Sequence, residues 1–175
     1  MRAAAAITMA LVAFMTVFSG ASAVAAGELG DWHYLQNVDD FTDEEVDEAV
    51  VLGPQMFSTG MVIFRYSYKT AVVDGQISLG GSVNDGQHKL IYRINKLPPV
   101  TIDCTTAGSL FFTFAILSKP AASTLARDLA KADADGEADL VVMIEGAPST
   151  KKRFAADKFL VALAASDSLK YVLGN

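Results

Sequence analysis

Few residues in this chain could do covalent or metal chemistry: one cysteine, two histidines and two short acidic segments. A thiol nucleophile needs a base beside it, and Cys104 with His33 or His88 would supply such a pair. Cys104, however, shares the apolar side of a strand pattern with Val100 and Ile102, where cysteine packs as a small hydrophobe. The sequence contains no G-x-S-x-G motif and no phosphate-binding glycine loop. We therefore expect a protein that is not an enzyme and uses no cofactor.

The first acidic segment, residues 39–48, places seven carboxylates in ten positions. Mutual repulsion would oppose their burial, which favours a solvated loop or one frayed helical turn. The segment is then a plain acidic surface, a docking patch for a basic partner or, less well supported, a divalent-cation site. Consecutive acidic residues without glycine do not aim their oxygens at one point, so we expect no metal.

A basic cluster, residues 151–153, has the opposite charge and is typical of an exposed edge strand. It could also dock an anionic partner or pair with the acidic segment of another copy, a contact that salt would weaken. The predicted docking residues are Asp39, Asp40, Asp43, Glu44, Glu45, Asp47, Glu48, Lys151, Lys152 and Arg153.

The second acidic segment, residues 133–139, resembles a calcium loop only in part. Aligned to the EF-hand template, its first ligand position is Lys131 and its closing position is Val142, so the two most demanding ligands are missing. We expect a polar turn between a helix and a strand.

The beginning of the chain has the order of a secretory signal peptide. Arg2 is followed by an uncharged apolar stretch, residues 3–18, and then by small residues. This stretch is short for a transmembrane helix. We expect residues 1–23 to be removed, or two or three more, leaving 24–175 as a single exported domain without a membrane anchor. The alternative is an uncleaved anchor helix.

Composition limits the classes of protein to which this chain can belong. The chain has 175 residues, 51% of them hydrophobic, and a net charge of −6. These values are typical of one globular domain and exclude a disordered chain or a disulfide scaffold, since a single cysteine closes no intrachain bridge. The negative charge also argues against a nucleic-acid partner.

Alternation of apolar and polar residues predicts antiparallel strands in the middle of the chain. Residues 61–69, 76–79 and 89–95 each follow a period of two. Asp74-Gly75 and residues 84–86 are typical of the tight turns that join adjacent strands. We therefore expect these three strands to form a meander.

The last third carries the helical signals. Residues 110–117 are apolar on both faces and predict a central strand covered on each side. A helix should begin near Ser118 and end in the turn at 133–136, and Asp157 should cap a second helix after the edge strand at 151–154. The expected fold class is α+β: one mostly antiparallel, sandwich-like sheet with two short helices in the C-terminal third.

The order of these elements resembles the TagO or VasI family of small exported proteins associated with bacterial type VI secretion. The matching residues are Trp32, 39–43, 63–66, 92–96, the helix at 121–131 with Leu129 and 132–133, and Arg153-Phe154 before the final helix. The resemblance implies a location in the cell envelope. It also implies a cross-link for which this chain lacks the cysteines, since Tyr66 stands at the first position and residues 164–168 contain none.

Together these observations predict a non-enzymatic periplasmic or secreted binding or accessory protein of the bacterial envelope. Its expected partner is a protein, and association with a secretion system is one form of this role. Two alternatives remain. One is a carrier of a small ligand in an aromatic pocket between the sheet and a helix, and the other is an envelope hydrolase. The pocket residues would be Phe111, Phe112, Phe114 and Tyr92.

The predicted leader can be tested by expressing the whole chain in a bacterium with a C-terminal tag. We expect the periplasmic protein to begin at Val24 on N-terminal sequencing, because signal peptidase requires small side chains before the cleaved bond. Recovery of the chain in the membrane fraction with Met1 retained would show an anchor instead.

Overall fold

A computed structural model gives the fold and describes residues 32–39, 43–52, 60–108 and 112–173. The predicted leader at residues 1–23 lies outside these ranges, and so do Asp40 and Phe111. The strands are β1 (Trp32–Asp39), β2 (Glu44–Leu52), β3 (Met61–Ser67), β4 (Val72–Gly80), β5 (Gly86–Ile94), β6 (Val100–Gly108), β7 (Phe112–Leu117), β8 (Asp139–Ile144) and β9 (Ala147–Ala155). The helices are α1 (Lys119–Ala134), α2 (Phe159–Ala164) and α3 (Asp167–Leu173).

All the described strands belong to one antiparallel sheet, in the order β1-β2-β3-β4-β7-β6-β5-β8-β9. The predicted α+β class with a mostly antiparallel sheet is confirmed, with three helices rather than two. The first four strands form a meander. The chain then crosses to β5, and β5, β6 and β7 form a second meander that runs back toward β4. As a result, β7 pairs with β4. The four strands β4 to β7 thus have Greek-key order.

The predicted meander through residues 61–95 is wrong in two respects. Asp74-Gly75 lies inside β4, where Gly75 is paired with Phe64, and the turn after β3 is formed by residues 68–71. The loop that contains residues 84–86 does lead to β5, but β5 pairs with β6 and β8 and does not touch β4 in the sheet. Local turn signals do not report which distant strand completes a pair.

One face of the sheet, the inner face, carries the core and is covered by the three helices. Its aromatic centre joins Trp32 of β1 and Phe64 of β3 to Phe159 of α2, with ring centroids 4.6–5.8 Å apart. The Trp32 indole Nε1 donates a hydrogen bond of 2.9 Å to the carbonyl of Ala156. The first strand is therefore bonded to the chain just beyond β9, the last strand, and it also contacts α2 through Phe159.

Helix α1 packs very closely on the middle of the inner face. A Cβ added to Gly75 would lie 3.2 Å from the Cβ of Ala122, and Ala115 of β7 is fully buried on the same face. Small side chains on both partners make this approach possible. Phe112, Phe114 and Ile116 of β7 lie on the opposite, outer face, while Leu117 is buried on the inner face.

Strand β7 is central in the sheet, as predicted, but it is not covered on both faces. Phe112 and Ile116 are 40% and 38% exposed on the outer face, while Thr113, Ala115 and Leu117 are buried on the inner face. The helices all lie on the inner side of the sheet. The apolar run of β7 is therefore covered by helices on one face only. The predicted edge position of residues 151–154 is confirmed, because β9 ends the sheet.

The helix starts agree only in part with those predicted from the sequence. Pro120 stands in the first turn of α1 as predicted, with Ser118 at the N-cap. Asp157, the predicted cap of the second helix, instead accepts a bond of 2.7 Å from the backbone N–H of Ala138. The N–H groups of Lys158 and Leu160 at the start of α2 donate to the two carboxylate oxygens of Asp133, at 2.5 and 2.9 Å.

Asp133 thus caps α2 from the end of α1, and its loss should loosen the contact between these helices. We expect Asp133→Ala to lower the free energy of unfolding by about 1–2 kcal/mol, because two helix N–H groups lose their acceptor. Urea denaturation measures the change.

The matched control is Asp135→Ala, which removes an exposed carboxylate two residues away and should leave the midpoint almost unchanged. Equal effects of the two substitutions would mean that Asp133 acts only through its charge.

Candidate functional site

The acidic segment is not a loop, because residues from Glu44 onward form β2 in the interior of the sheet order. Successive side chains of a strand point to opposite faces, so the carboxylates do not form one surface. Asp43 and Glu45 are exposed, while Glu44 is half-buried and accepts a hydrogen bond from Ser67. Asp39 is the last residue of β1, and Asp40 lies outside the described residues.

Asp47, predicted to be a docking residue, is 1% exposed on the inner face and has internal partners. Its carboxylate accepts hydrogen bonds from the hydroxyls of Tyr34 (3.0 Å), Tyr68 (2.6 Å) and Ser166 (2.6 Å). Ser166 also caps α3 by accepting from the backbone N–H of Leu169. Burial, followed by the bond to Asp47 and its charge, raises the pKa of Tyr34 to about 12. Asp47 is therefore buried and not available as a docking residue; its oxygens join β2 to β1, to the turn after β3 and to the residue that precedes α3.

Glu48, the next residue, is 6% exposed and points to the outer face. Its two carboxylate oxygens accept from Arg65 Nε at 2.7 Å and from Asn37 Nδ2 at 3.1 Å. Arg65 lies opposite Asp74 on β4. Burial raises the pKa of Asp74, the Arg65 guanidinium opposes this rise, and the Glu48 carboxylate adds to it. Glu48 is therefore also unavailable for docking and belongs to a polar row across β1 to β4.

The predicted basic docking residues lie on β9. Lys151 is exposed and Lys152 is half-buried, and the Arg153 guanidinium lies 3.3 Å from the Asp139 carboxylate in an exposed ion pair. Such a pair contributes little to stability, so Arg153 can exchange this partner for another. A docking role for the exposed residues of both charged segments stays a prediction.

The residues considered for thiol chemistry do not assemble into a nucleophile. Cys104 is 3% exposed, and burial together with the nearby Asp103 raises its pKa to about 11. His88 lies opposite it on β5, but its ring is bonded to the carbonyl of Asn84. A thiol that stays protonated at neutral pH is a poor nucleophile. Within the part of the chain that the structure describes, no group of three metal-ligating side chains occurs.

The residues of the predicted ligand pocket do not share a face of the sheet. Tyr92 is 1% exposed on the inner face, where its hydroxyl donates to Asp128 of α1 at 2.6 Å. Phe112 and Phe114 lie on the outer face of β7, and Phe111 is not among the described residues. The sheet separates these aromatic rings, so they cannot line one cavity.

The outer face instead has an apolar stripe, which we define as Phe112, Phe114 and Ile116 of β7. It leads into a groove of about 510 Å³ at the junction of β4, β6 and the start of α1. Val72, 51% exposed, and Ile116 form its apolar walls. The polar residues that border this outer groove are Asp74, Thr105, Ser118 and Lys119.

The sequence of β7 contains a signal for this stripe. Along β7 the large residues Phe112, Phe114 and Ile116 alternate with Thr113 and Ala115, which are smaller. Alternate residues of a strand lie on opposite faces, so the three large residues share one face, and Thr113 and Ala115 share the other with Leu117.

The internal role of Asp47 predicts a stability effect and not a binding effect. We expect Asp47→Ala to lower the free energy of unfolding by about 2–3 kcal/mol, because three hydroxyl groups lose a charged acceptor in a buried site. The measurement is chemical denaturation, followed by tryptophan fluorescence.

Glu45→Ala removes an exposed carboxylate of the same strand and should be nearly neutral. If Asp47→Ala were as stable as Glu45→Ala, the three hydroxyl bonds would contribute nothing to folding.

No helix of the described residues is long and apolar enough to cross a membrane. The chain matches no family model, no curated protein and no solved structure.

Proposed function

We propose that this protein is a non-enzymatic, exported binding protein of the bacterial cell envelope, which holds a protein partner on the outer face of its sheet. The observation that carries the proposal is the exposed apolar stripe, with the outer groove beside it. A role as an accessory of a secretion apparatus, which the family resemblance implies, is one form of this function.

The position of the stripe supports a binding role. Exposed apolar side chains are common when scattered singly, but contiguous ones in the middle of a face are typical of interaction surfaces. Phe112 and Ile116 stand two pleats apart on one strand, with the half-buried Phe114 between them. A partner that covers all three side chains would bury them at the centre of the contact, and the core of protein interfaces is apolar in the same way.

The borders of the outer groove favour a partner with both apolar and charged groups. Asp74 and the exposed Lys119 both line it. An apolar side chain could enter between Val72 and Ile116 while polar groups beside it pair with the two charges. Such an apolar centre within a polar rim is the usual arrangement in transient protein complexes.

The inner face contributes to the proposal because two of its carboxylates already have structural partners. Asp47 is bonded to three hydroxyls and Asp128 to Tyr92. The raised pKa of Cys104 weighs against a thiol enzyme. The ligand carrier loses support, since its expected pocket residues lie on opposite faces of the sheet.

Site-specific crosslinking in the native host tests this function. We expect a photo-crosslinking amino acid at Ile116 to capture one dominant envelope protein. Val72→Glu should abolish this capture, because it places a carboxylate in the apolar wall of the outer groove, next to Asp74.

Val161→Glu is the matched control, since Val161 of α2 and Val72 are both 51% exposed and the chemical change is the same. Capture should survive in this control. No discrete crosslinked protein, or an equal loss with both substitutions, would contradict binding at the outer face.

A further inference from the structure

The two edges of the sheet are protected to very different degrees. An edge strand exposes a row of backbone N–H and C=O groups, and proteins commonly protect it with lysine, arginine, proline or bulges. At the edge strand β9 stand Pro148 and the basic residues 151–153, and its pairing with β8 has a register shift near Val142. This edge therefore carries several of the known devices against strand pairing.

The other edge, β1, has almost none of them. Its eight residues, WHYLQNVD, include no lysine, arginine, proline or glycine, and they pair without a register shift along β2. His33, Gln36 and Val38 are exposed. In the described part of the sheet only one side of β1 is paired. A long, regular and unprotected edge of this kind is suited to pairing with another strand.

We propose that β1 pairs in antiparallel orientation with β1 of a second copy of this chain, about a two-fold axis at Gln36. The pairing would continue the sheet across both copies. Because a two-fold contact uses the same strand from each partner, it closes after two copies and does not propagate into a fibre. This inference is independent of the proposed partner on the outer face.

The register follows from the pleat and from charge. Side chains that are paired across an antiparallel ladder lie on the same face, so odd-numbered residues must pair with odd-numbered ones. Centring the ladder on Gln36 aligns residues 33–39 of each copy and places His33 opposite Asp39 of the second copy. Centring it on Leu35 would align residues 32–38 and leave Asp39 without a partner.

The pairing of β1 with β2 supports the first of these registers. Asp39 lies opposite Glu44 in the β1–β2 ladder, and like charges in opposite positions destabilise a sheet. In the proposed register, position 39 of one copy lies opposite His33 of the second copy, and an imidazole N–H is a donor for a carboxylate. The register centred on Gln36 supplies this contact twice, once at each end of the shared ladder.

Cysteine crosslinking tests both the contact and its register. In the proposed pairing Gln36 lies opposite Gln36 of the second copy, with Cβ atoms about 5 Å apart, within reach of a disulfide. We expect Gln36→Cys, introduced into the full chain, to form a covalent dimer under mild oxidation. The natural Cys104 is 3% exposed and will not compete.

Val38→Cys is the matched control, because it is an exposed position on the same strand and points to the same face. In the proposed register two such thiols would be separated by about four residues, or about 13 Å, too far for a disulfide. Strong crosslinking at Gln36 with little at Val38 supports the proposal. Equal crosslinking, or a preference for Val38, overturns it.

Sedimentation of the unmodified chain gives a second readout. We expect a dimer, and we expect Gln36→Lys to convert it to a monomer because two positive charges would then face each other at the axis. Thr101→Lys, at an exposed position of the interior strand β6, should remain dimeric. A monomeric unmodified chain would overturn the proposal, whether or not a partner binds at the outer face.

Discussion

The close approach of α1 to the middle of the sheet is the constraint on which much of this structure depends. A Cβ added to Gly75 of β4 would lie 3.2 Å from the Cβ of Ala122 in α1 and 3.2 Å from the Cδ1 of Leu117 in β7. On this face β7 buries Thr113, Ala115 and Leu117, and its alternate residues Phe112, Phe114 and Ile116 therefore fall on the outer face. The exposed apolar stripe is the other side of the strand whose inner side packs in the core.

The buried carboxylate of Asp47 shows how a local rule about charge can mislead. Seven acidic residues in ten positions predict a solvated segment, but the rule assumes that they share a surface. In a strand they alternate between faces, and Asp47 and Glu48 find donors on strands and a helix that are distant in sequence. Burial of a charge costs little when hydrogen bonds replace its water, so the partners, and not the run itself, decide the outcome.

The features that the sequence predicted are those that depend on near neighbours. The period of two identified strands, Pro120 marked the start of α1, and the charges of residues 151–153 indicated an edge. The pairing of β4 with β7, the capping of α2 by Asp133 and the separation of Tyr92 from Phe112 all depend on contacts across the fold. No periodicity reports such contacts, which explains why the fold class was predictable and the site was not.

The outer stripe and the edge of β1, both exposed within the described residues, differ in the kind of contact they allow. The outer stripe offers side chains, and a partner there is selected by shape and by the charges that border the groove. The edge of β1 offers backbone groups, which are common to every chain, so selectivity must come from register and length. Natural sheets commonly protect such an edge, and β9 carries the protective residues at one edge of this sheet. Strand β1 carries almost none of them, and pairing with another strand is a further way in which its backbone groups can be satisfied.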